Sequence, residues 1–214
     1  MAPGNEVDFC ERISADPAEV NPAAVILAAG ESRRMGRVKA LLPYRGGTIL
    51  SELIGAFAAV ATPLIVVTGY HAEVVGPHAE ACGAQVAHNA HPERGMLSSL
   101  QTGLAALPAS ADAFFFTPVD YPAIQGATIA ALAALLRGQP EALAAIPRME
   151  GRRGHPVLCR REVAARFLAL PENGQAKDVI HDLVPRTAYL DCADSGILMD
   201  VDDPAAYDRL LATL

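Results

Sequence analysis

The chain has 214 residues, 51% of them hydrophobic and 19% charged, with 24 acidic against 17 basic side chains and a net charge of −7. That length supports one domain with a substantial core, and the composition is that of a globular protein and not of a disordered one. The acidic balance argues against a nucleic-acid surface, and no apolar run approaches the roughly 18–20 residues of a membrane span.

Residues Met1 to Pro22 hold Glu6, Asp8, Glu11, Asp16 and Glu19 and lack an apolar core, so they are not a secretory signal. They read as a short helix and a mobile lead-in to a single domain over residues 23–214. Strands are predicted over Ala24–Ala29, Leu64–Thr68, Gln85–His88, Ala113–Pro118, Ala142–Ile146, Pro156–Cys159 and Ile197–Val201. Between them lie predicted helices at Ile49–Ala59, Ala72–Ala81, Met96–Ala106, Gly126–Leu136, Arg161–Leu168, Gln175–Leu183 and Pro204–Ala212. Such alternation implies an α/β fold with a mostly parallel sheet covered by helices on both faces. Val25–Ala29 and Leu64–Val67 are unbroken apolar runs, as strands buried on both faces should be. Pro147–Arg153 is polar and glycine-bearing, and reads as a loop leading to a strand at the sheet edge, with antiparallel pairing open there. Cys10, Cys82, Cys159 and Cys192 are scattered without a C-x-x-C, which points to reduced thiols and a cytoplasmic location.

In such sheets ligands gather at the carboxyl ends of the strands, so the loops after Ala29, Thr68, Asn89 and Val119 should share one crevice. The first is the most informative. An apolar strand stops at Gly30, and Arg33, Arg34, Arg37 and Lys39 follow closely, a local concentration of cations in an acidic chain. A glycine-punctuated, cationic loop leaving a buried strand suits a polyphosphate. It is not a P-loop, because five residues separate Gly30 from Gly36 and Ala40 follows Lys39; nor is it a G-x-G-x-x-G fingerprint.

Phe114–Phe116 and Thr117-Pro118-Val119 deliver Asp120 at a strand end, between two prolines that stiffen the loop. A carboxylate there suits Mg²⁺, which takes one or two carboxylates and completes its shell with phosphate and water; an N-cap is the plainer alternative. Asp200-Val201-Asp202-Asp203-Pro204 starts the last helix. Asp203 before a proline reads as an N-cap, whereas Asp200 and Asp202 share a strand face and either is a candidate second carboxylate. From Asn89 to Leu100, Gly95, Ser98 and Ser99 offer a loop that lets a ligand approach, or simply a helix start. His88 and His91 are spaced like some zinc ligands, but no third ligand is placed to join them. No G-x-S-x-G supports a serine hydrolase.

Leu27 to Lys39 meets L-A-A-G-x-S-x-R-M-G-x-x-K without a gap, and this pattern resembles the signature of the MobA-like nucleotidyltransferases. The resemblance extends over about residues 23 to 210 with the motifs in order. It implies a three-layer α/β/α Rossmann-like sheet of the nucleotide-diphospho-sugar transferase type. Leu-Ala-Ala-Gly, the following Leu41-Leu42-Pro43-Tyr44 and Val67-Thr68-Gly69-Tyr70 resemble most closely the molybdenum cofactor cytidylyltransferases, which join CTP to molybdopterin cofactor and release pyrophosphate. The likeness places Leu27, Ala28, Ala29, Gly30, Lys39, Gly69, Asn89 and Ser99 at the nucleotide. It makes Lys39, Arg34 and Asp120 catalytic, with Mg²⁺ on Asp120 and Asp202 and Asp200 as the weaker candidate. His155, in Gly154-His155-Pro156, and Lys177, in Gly174-Gln175-Ala176-Lys177, fall on the acceptor side. The implied partners are a nucleoside triphosphate, the molybdopterin cofactor and a molybdoenzyme, with neither nucleic acid nor membrane. Two departures bear on the acceptor: Val-Asp-Tyr-Pro stands where the family has G-D-M-P, and Lys177 stands where it has arginine, without the planar fork that grips phosphate. Transfer to another phosphorylated acceptor and a non-catalytic carrier role are the alternatives.

Overall fold

The computed structural model describes residues 20–214. The helix and lead-in expected before the domain therefore lie outside the described residues, apart from Val20 and Asn21 and the first strand, which starts at Pro22.

The strands are β1 (Pro22–Ala28), β2 (Pro43–Tyr44), β3 (Gly47–Thr48), β4 (Leu64–Thr68), β5 (Gln85–His88), β6 (Ala113–Pro118), β7 (Ala144–Met149), β8 (Arg152–Arg153), β9 (Val157–Arg160) and β10 (Thr187–Asp191). The helices are α1 (Ile49–Ala58), α2 (Ala72–Ala81), α3 (Met96–Ala105), α4 (Gly126–Gly138), α5 (Ala164–Leu168), α6 (Ala176–Asp182) and α7 (Pro204–Leu211). One sheet runs β10-β7-β9-β6-β1-β4-β5, with β8 paired to β7, while β2 and β3 form a small hairpin. Its pairings are parallel except those of β9 with β6 and β7 and of β8 with β7.

The alternation of side chains along β1 divides the core. Ala24, Ile26 and Ala28 face a layer that includes Leu53 and Phe57 of α1, Leu132 and Leu136 of α4 and Leu210 of α7. Val25, Leu27 and Ala29 face Leu100 and Leu104 of α3, Phe167 of α5 and Val179 of α6. Gly103 lets α3 lie directly on the sheet, because a Cβ there would collide with Val25 and stand 2.9 Å from Val67 Cγ2. The chain winds outward from β1 through β4 to β5, then returns to pair β6 on the other side of β1. That reversal opens a crevice above the carboxyl end of β1.

Two expectations are corrected. The antiparallel strand is not at the edge: β9 lies between β6 and β7, and the loop before it holds the last residues of β7 and the short β8. Val157, Leu158 and Cys159 are all buried, as an interior strand requires. Ile197–Val201 is not a strand. Its first residues belong to a 3₁₀ turn over Ser195–Leu198, and the parallel edge strand is β10, in a stretch where none was expected. Ile197 and Val201 are buried because this segment crosses the strand ends, its backbone bonding to single residues there.

Candidate active site

The loop after β1 is shaped by its own hydrogen bonds. Ser32 takes a positive φ of 59°, and its carbonyl accepts from the amides of Met35 at 3.0 Å and Gly36 at 3.1 Å, closing a tight turn. Met35 is buried in the core and anchors that turn, while the Arg34 side chain beside it remains 70% exposed. The Ser32 hydroxyl accepts from the Lys39 amide at 3.2 Å. A buried 3₁₀ turn over Lys39–Leu41 then points the lysine back into the crevice, with its side chain only 10% exposed.

The carboxylates arrive from opposite ends of the chain. Asp120 follows β6, whose pairing with β1 is extended by the Val119 amide donating to the Leu27 carbonyl at 3.0 Å. Asp202 arrives on the segment that crosses the strand ends. Buried Asp194 fixes the start of this segment: it accepts from the Gly196 amide at 2.9 Å, the Gln125 amide at 3.0 Å and the Thr128 hydroxyl at 2.7 Å. Gly196 packs so tightly on the Ala123 carbonyl that no Cβ fits, and Gly154 is held as closely against the Ile197 carbonyl.

Lys39 Nζ lies 2.9 Å from Asp120 Oδ1 and 3.2 Å from Asp202 Oδ1, and Arg34 Nη2 reaches Asp202 Oδ2 at 2.9 Å. Burial pushes the Asp120 carboxyl above the usual range despite the pull of Lys39, with Asp202 and Asp200 adding to the rise. At Asp202 burial also pushes upward, but Lys39 and Arg34 together hold its carboxyl below the ordinary value. Asp200 is exposed, with neither cation bonded to it, and Asp203 is the N-cap of α7, accepting from the Ala206 amide at 2.8 Å.

A cleft of about 260 Å³ opens beside this cluster. Leu27, Ala28, Ala29, Gly30 and Ser32 form one wall, Pro92, Gly95, Met96 and Ser99 another, and Pro118, Val119, Asp120 and Lys39 the end. Gly69 acts from behind: a Cβ would stand 2.7 Å from the Ala29 carbonyl oxygen and 2.8 Å from Pro92 Cβ, so glycine lets the loops after β1, β4 and β5 close on one another. Asn89 is buried and already bonded. Its amide nitrogen donates to Ser98 Oγ at 2.9 Å and Ser99 Oγ at 3.0 Å, and its oxygen accepts from the His91 amide at 2.9 Å. It therefore shapes the wall on which Ser99 sits, and Ser99 itself faces the cleft.

The structure does not bring the two expected acceptor residues together. Lys177 lines a separate cleft of about 370 Å³ with Arg153, Gly154 and His181. His155 turns the other way, its ring centroid 4.5 Å from that of Tyr121, and its Nδ1 is buried without a partner among the described residues. Burial holds the imidazole down to about 4. Sequence reasoning gave no role to Ser32 or Pro92 as individual residues, although both stand in the quoted motifs, whereas Gly95, expected to let a ligand approach, does line the cleft. The Tyr121–His155 ring contact and the Arg34–Asp202 pair had no local signal.

A family model for the MobA-like NTP transferase domain matches residues 24–187. The chain belongs to this family. Among curated relatives, the molybdenum cofactor cytidylyltransferase of Escherichia coli K12 is 28% identical over 182 residues, covering 84% of this chain and 90% of that protein. The nicotine blue oxidoreductase of Paenarthrobacter nicotinovorans is 29% identical over 201 residues, covering 87% and 95%. The curated relatives thus carry more than one named activity, and the side chains of this chain must carry the assignment. Of solved structures, Rv0371c from Mycobacterium tuberculosis H37Rv superposes with a TM-score of 0.76 at 25% identity, over 91% of this chain and 100% of that one. The same protein complexed with manganese gives a TM-score of 0.74 at 24% identity, over 91% and 100%. The match to the family model stops before Asp202, which reaches the cluster only through the fold.

Proposed function

We propose that this chain is a nucleotidyltransferase which joins the nucleotidyl group of a nucleoside triphosphate, CTP by preference, to the terminal phosphate of molybdopterin cofactor and releases pyrophosphate. One observation carries the reading: a single buried ammonium, Lys39, stands between two carboxylates at the end of a glycine-walled cleft. The 28% identity to a cytidylyltransferase and the Leu-Ala-Ala-Gly loop support the choice of CTP and of the acceptor. The same reading takes residues 23–214 as one catalytic domain working in the cytoplasm, its product passed to a molybdoenzyme.

Both reactants are anionic, so their mutual repulsion is the main obstacle. Lys39 and Arg34 offset the charge of the triphosphate, and the backbone of Ala29 and Gly30 lets it approach closely. An oxygen of the acceptor phosphate forms a bond to the α-phosphorus while the bond from that phosphorus to the bridging oxygen breaks, and pyrophosphate leaves with the electron pair. The acceptor phosphate is already ionised near neutral pH, so no strong general base is needed. The donor set of Asp120 and Asp202 fits Mg²⁺, because both carboxylates already converge on one cation and phosphate and water would complete the shell. Bound there, Mg²⁺ would neutralise charge on the α-phosphate and on the attacking oxygen.

A second reading, transfer to a different phosphorylated acceptor such as a sugar or alcohol phosphate, is favoured by Tyr121 and its tilted ring contact with His155 beside Asp120. The test is pyrophosphate release from CTP, GTP and ATP with Mg²⁺, with and without molybdopterin cofactor, using Asp120→Ala as the blank. Release that requires CTP and the cofactor supports the first reading. Release that requires another acceptor supports the second, and nucleotide binding without release under any condition supports a carrier.

A further inference from the structure

The cation cluster has a consequence for the order in which ligands bind, and it rests on the reading of the site given above. Asp202 has both oxygens engaged: Oδ1 by Lys39 at 3.2 Å and Oδ2 by Arg34 at 2.9 Å. Asp120 has Oδ1 engaged by the same lysine at 2.9 Å. Two carboxylates are thus matched by two cations. A divalent ion arriving alone meets two carboxylates whose charge is matched by two cations, with the exposed Asp200 bonded to neither, and, among the described residues, Asp120 Oδ2 is the only one of the four oxygens of Asp120 and Asp202 without a cation on it. The field that would attract a metal is weakened, and three of the four oxygens that would ligate it are occupied.

A triphosphate removes both obstacles. It is the stronger partner for an ammonium and for a guanidinium, because it presents several charged oxygens. Arg34 is free to move to it, since its side chain is 70% exposed on a loop anchored by Met35 and not by the arginine. We infer that Arg34 and Lys39 keep Asp202 from a divalent cation until a nucleotide draws them away, so that the nucleotide opens the metal site and binds first. Arg34 is then a positioning residue as well as a phosphate ligand: it decides when Asp202 becomes available. Such linkage is reciprocal, and linked ligands typically change one another's affinity about 5–150-fold.

The distinguishing result is a change of sign. Loss of a residue from a binding site ordinarily weakens binding, whereas here Arg34→Gln should tighten Mn²⁺ held by the nucleotide-free protein. Mn²⁺ binding is read by electron paramagnetic resonance and calorimetry on the full chain, without nucleotide or acceptor. We expect Arg34→Gln to strengthen it several-fold and Lys39→Met more, because Lys39 blocks both acids. Arg34→Lys, which keeps the charge, should stay near the wild type. Arg33 bonds Glu31 at 2.5 Å and not an acid of the cluster, so Arg33→Gln deletes the same formal charge from the same loop and should have little effect. Arg33→Gln tightening Mn²⁺ as much as Arg34→Gln would replace the proposal with a general field effect. Wild-type protein binding Mn²⁺ alone as tightly as Arg34→Gln would overturn it. These outcomes are independent of pyrophosphate release, so failure of the transferase reading and failure of the linkage are read in different experiments.

Discussion

The amide of Val201 donates to the carbonyl of Asp120 at 2.8 Å, tying the segment before α7 to the end of β6 within one residue of each acid that meets Lys39. The main chains that carry the two carboxylates are therefore held together by backbone pairing. This matters for phosphoryl chemistry, where misplacement of a charged group by about 1 Å can cost on the order of 10²-fold in rate.

Removal of any member of the cluster should leave the fold and remove turnover. Asp120→Asn, Asp202→Asn and Lys39→Met are each expected to lower kcat/KM for nucleotidyl transfer by about 10²–10³. Asp200→Asn should change it by less than about tenfold, because neither Lys39 nor Arg34 bonds that carboxylate. Steady-state pyrophosphate release, with circular dichroism to verify folding, separates the two aspartates.

Gly196→Ala should act on stability and catalysis together. The added methyl would press into the Ala123 backbone, which has no flexible side-chain end to move aside. Overpacking of this kind typically costs about 1–3 kcal/mol. Thermal melts should show the lower Tm, and kcat should fall because the displaced segment carries Asp202.

Asn89→Ala should damage nucleotide binding without removing a group from the cleft. The substitution leaves Ser98 and Ser99 without a donor and the His91 amide without its acceptor, at about 1–3 kcal/mol for each group that stays buried and unpaired. We expect the nucleotide KM to rise about tenfold with a smaller change in kcat, measured by varying CTP at saturating acceptor.

His155 should make the protein acid-sensitive. Its folded pKa is depressed to about 4 because burial disfavours the imidazolium, while the unfolded chain takes up the proton near 6.5. Between those values the unfolded state holds more protons, so stability rises with pH across this window and is lost as pH falls through it. The loss is on the order of 3 kcal/mol. Denaturant midpoints from pH 4 to 7 should slope upward in the wild type and flatten over that range in His155→Gln. A wild-type slope unchanged by the substitution would assign the acid sensitivity to other groups.

Much of the scaffold was legible because hydrophobic period and length report burial well. Leu64–Thr68 and Gln85–His88 form strands at the predicted bounds, and Ala72–Ala81 forms a helix at its predicted bounds. The failures have separate causes. Ile197–Val201 is apolar because it is buried, but burial does not reveal whether a backbone pairs with a strand or crosses the ends of several. Thr187–Asp191 carries little apolar signal because an edge strand buries less, and its pairing with β7 is decided by β7. For β9 the signal was present in three consecutive buried apolar residues, which suit an interior strand better than an edge.

At the site, the sequence by itself determined which chemical groups are available: a cationic glycine loop, an acid at a strand end, a second acid before the last helix, and a family signature. Those properties are local, fixed by residue type and short-range spacing. Only the tertiary structure decided that Lys39 is shared between Asp120 and Asp202, that Arg34 holds the remaining oxygen of Asp202, that Asn89 is spent on its neighbours, and that His155 packs on Tyr121 while Lys177 lines another cleft. Each of those contacts joins residues from different turns or strands. Their geometry depends on the strand order and on the close packing of Gly69, Gly154 and Gly196, which no local pattern encodes.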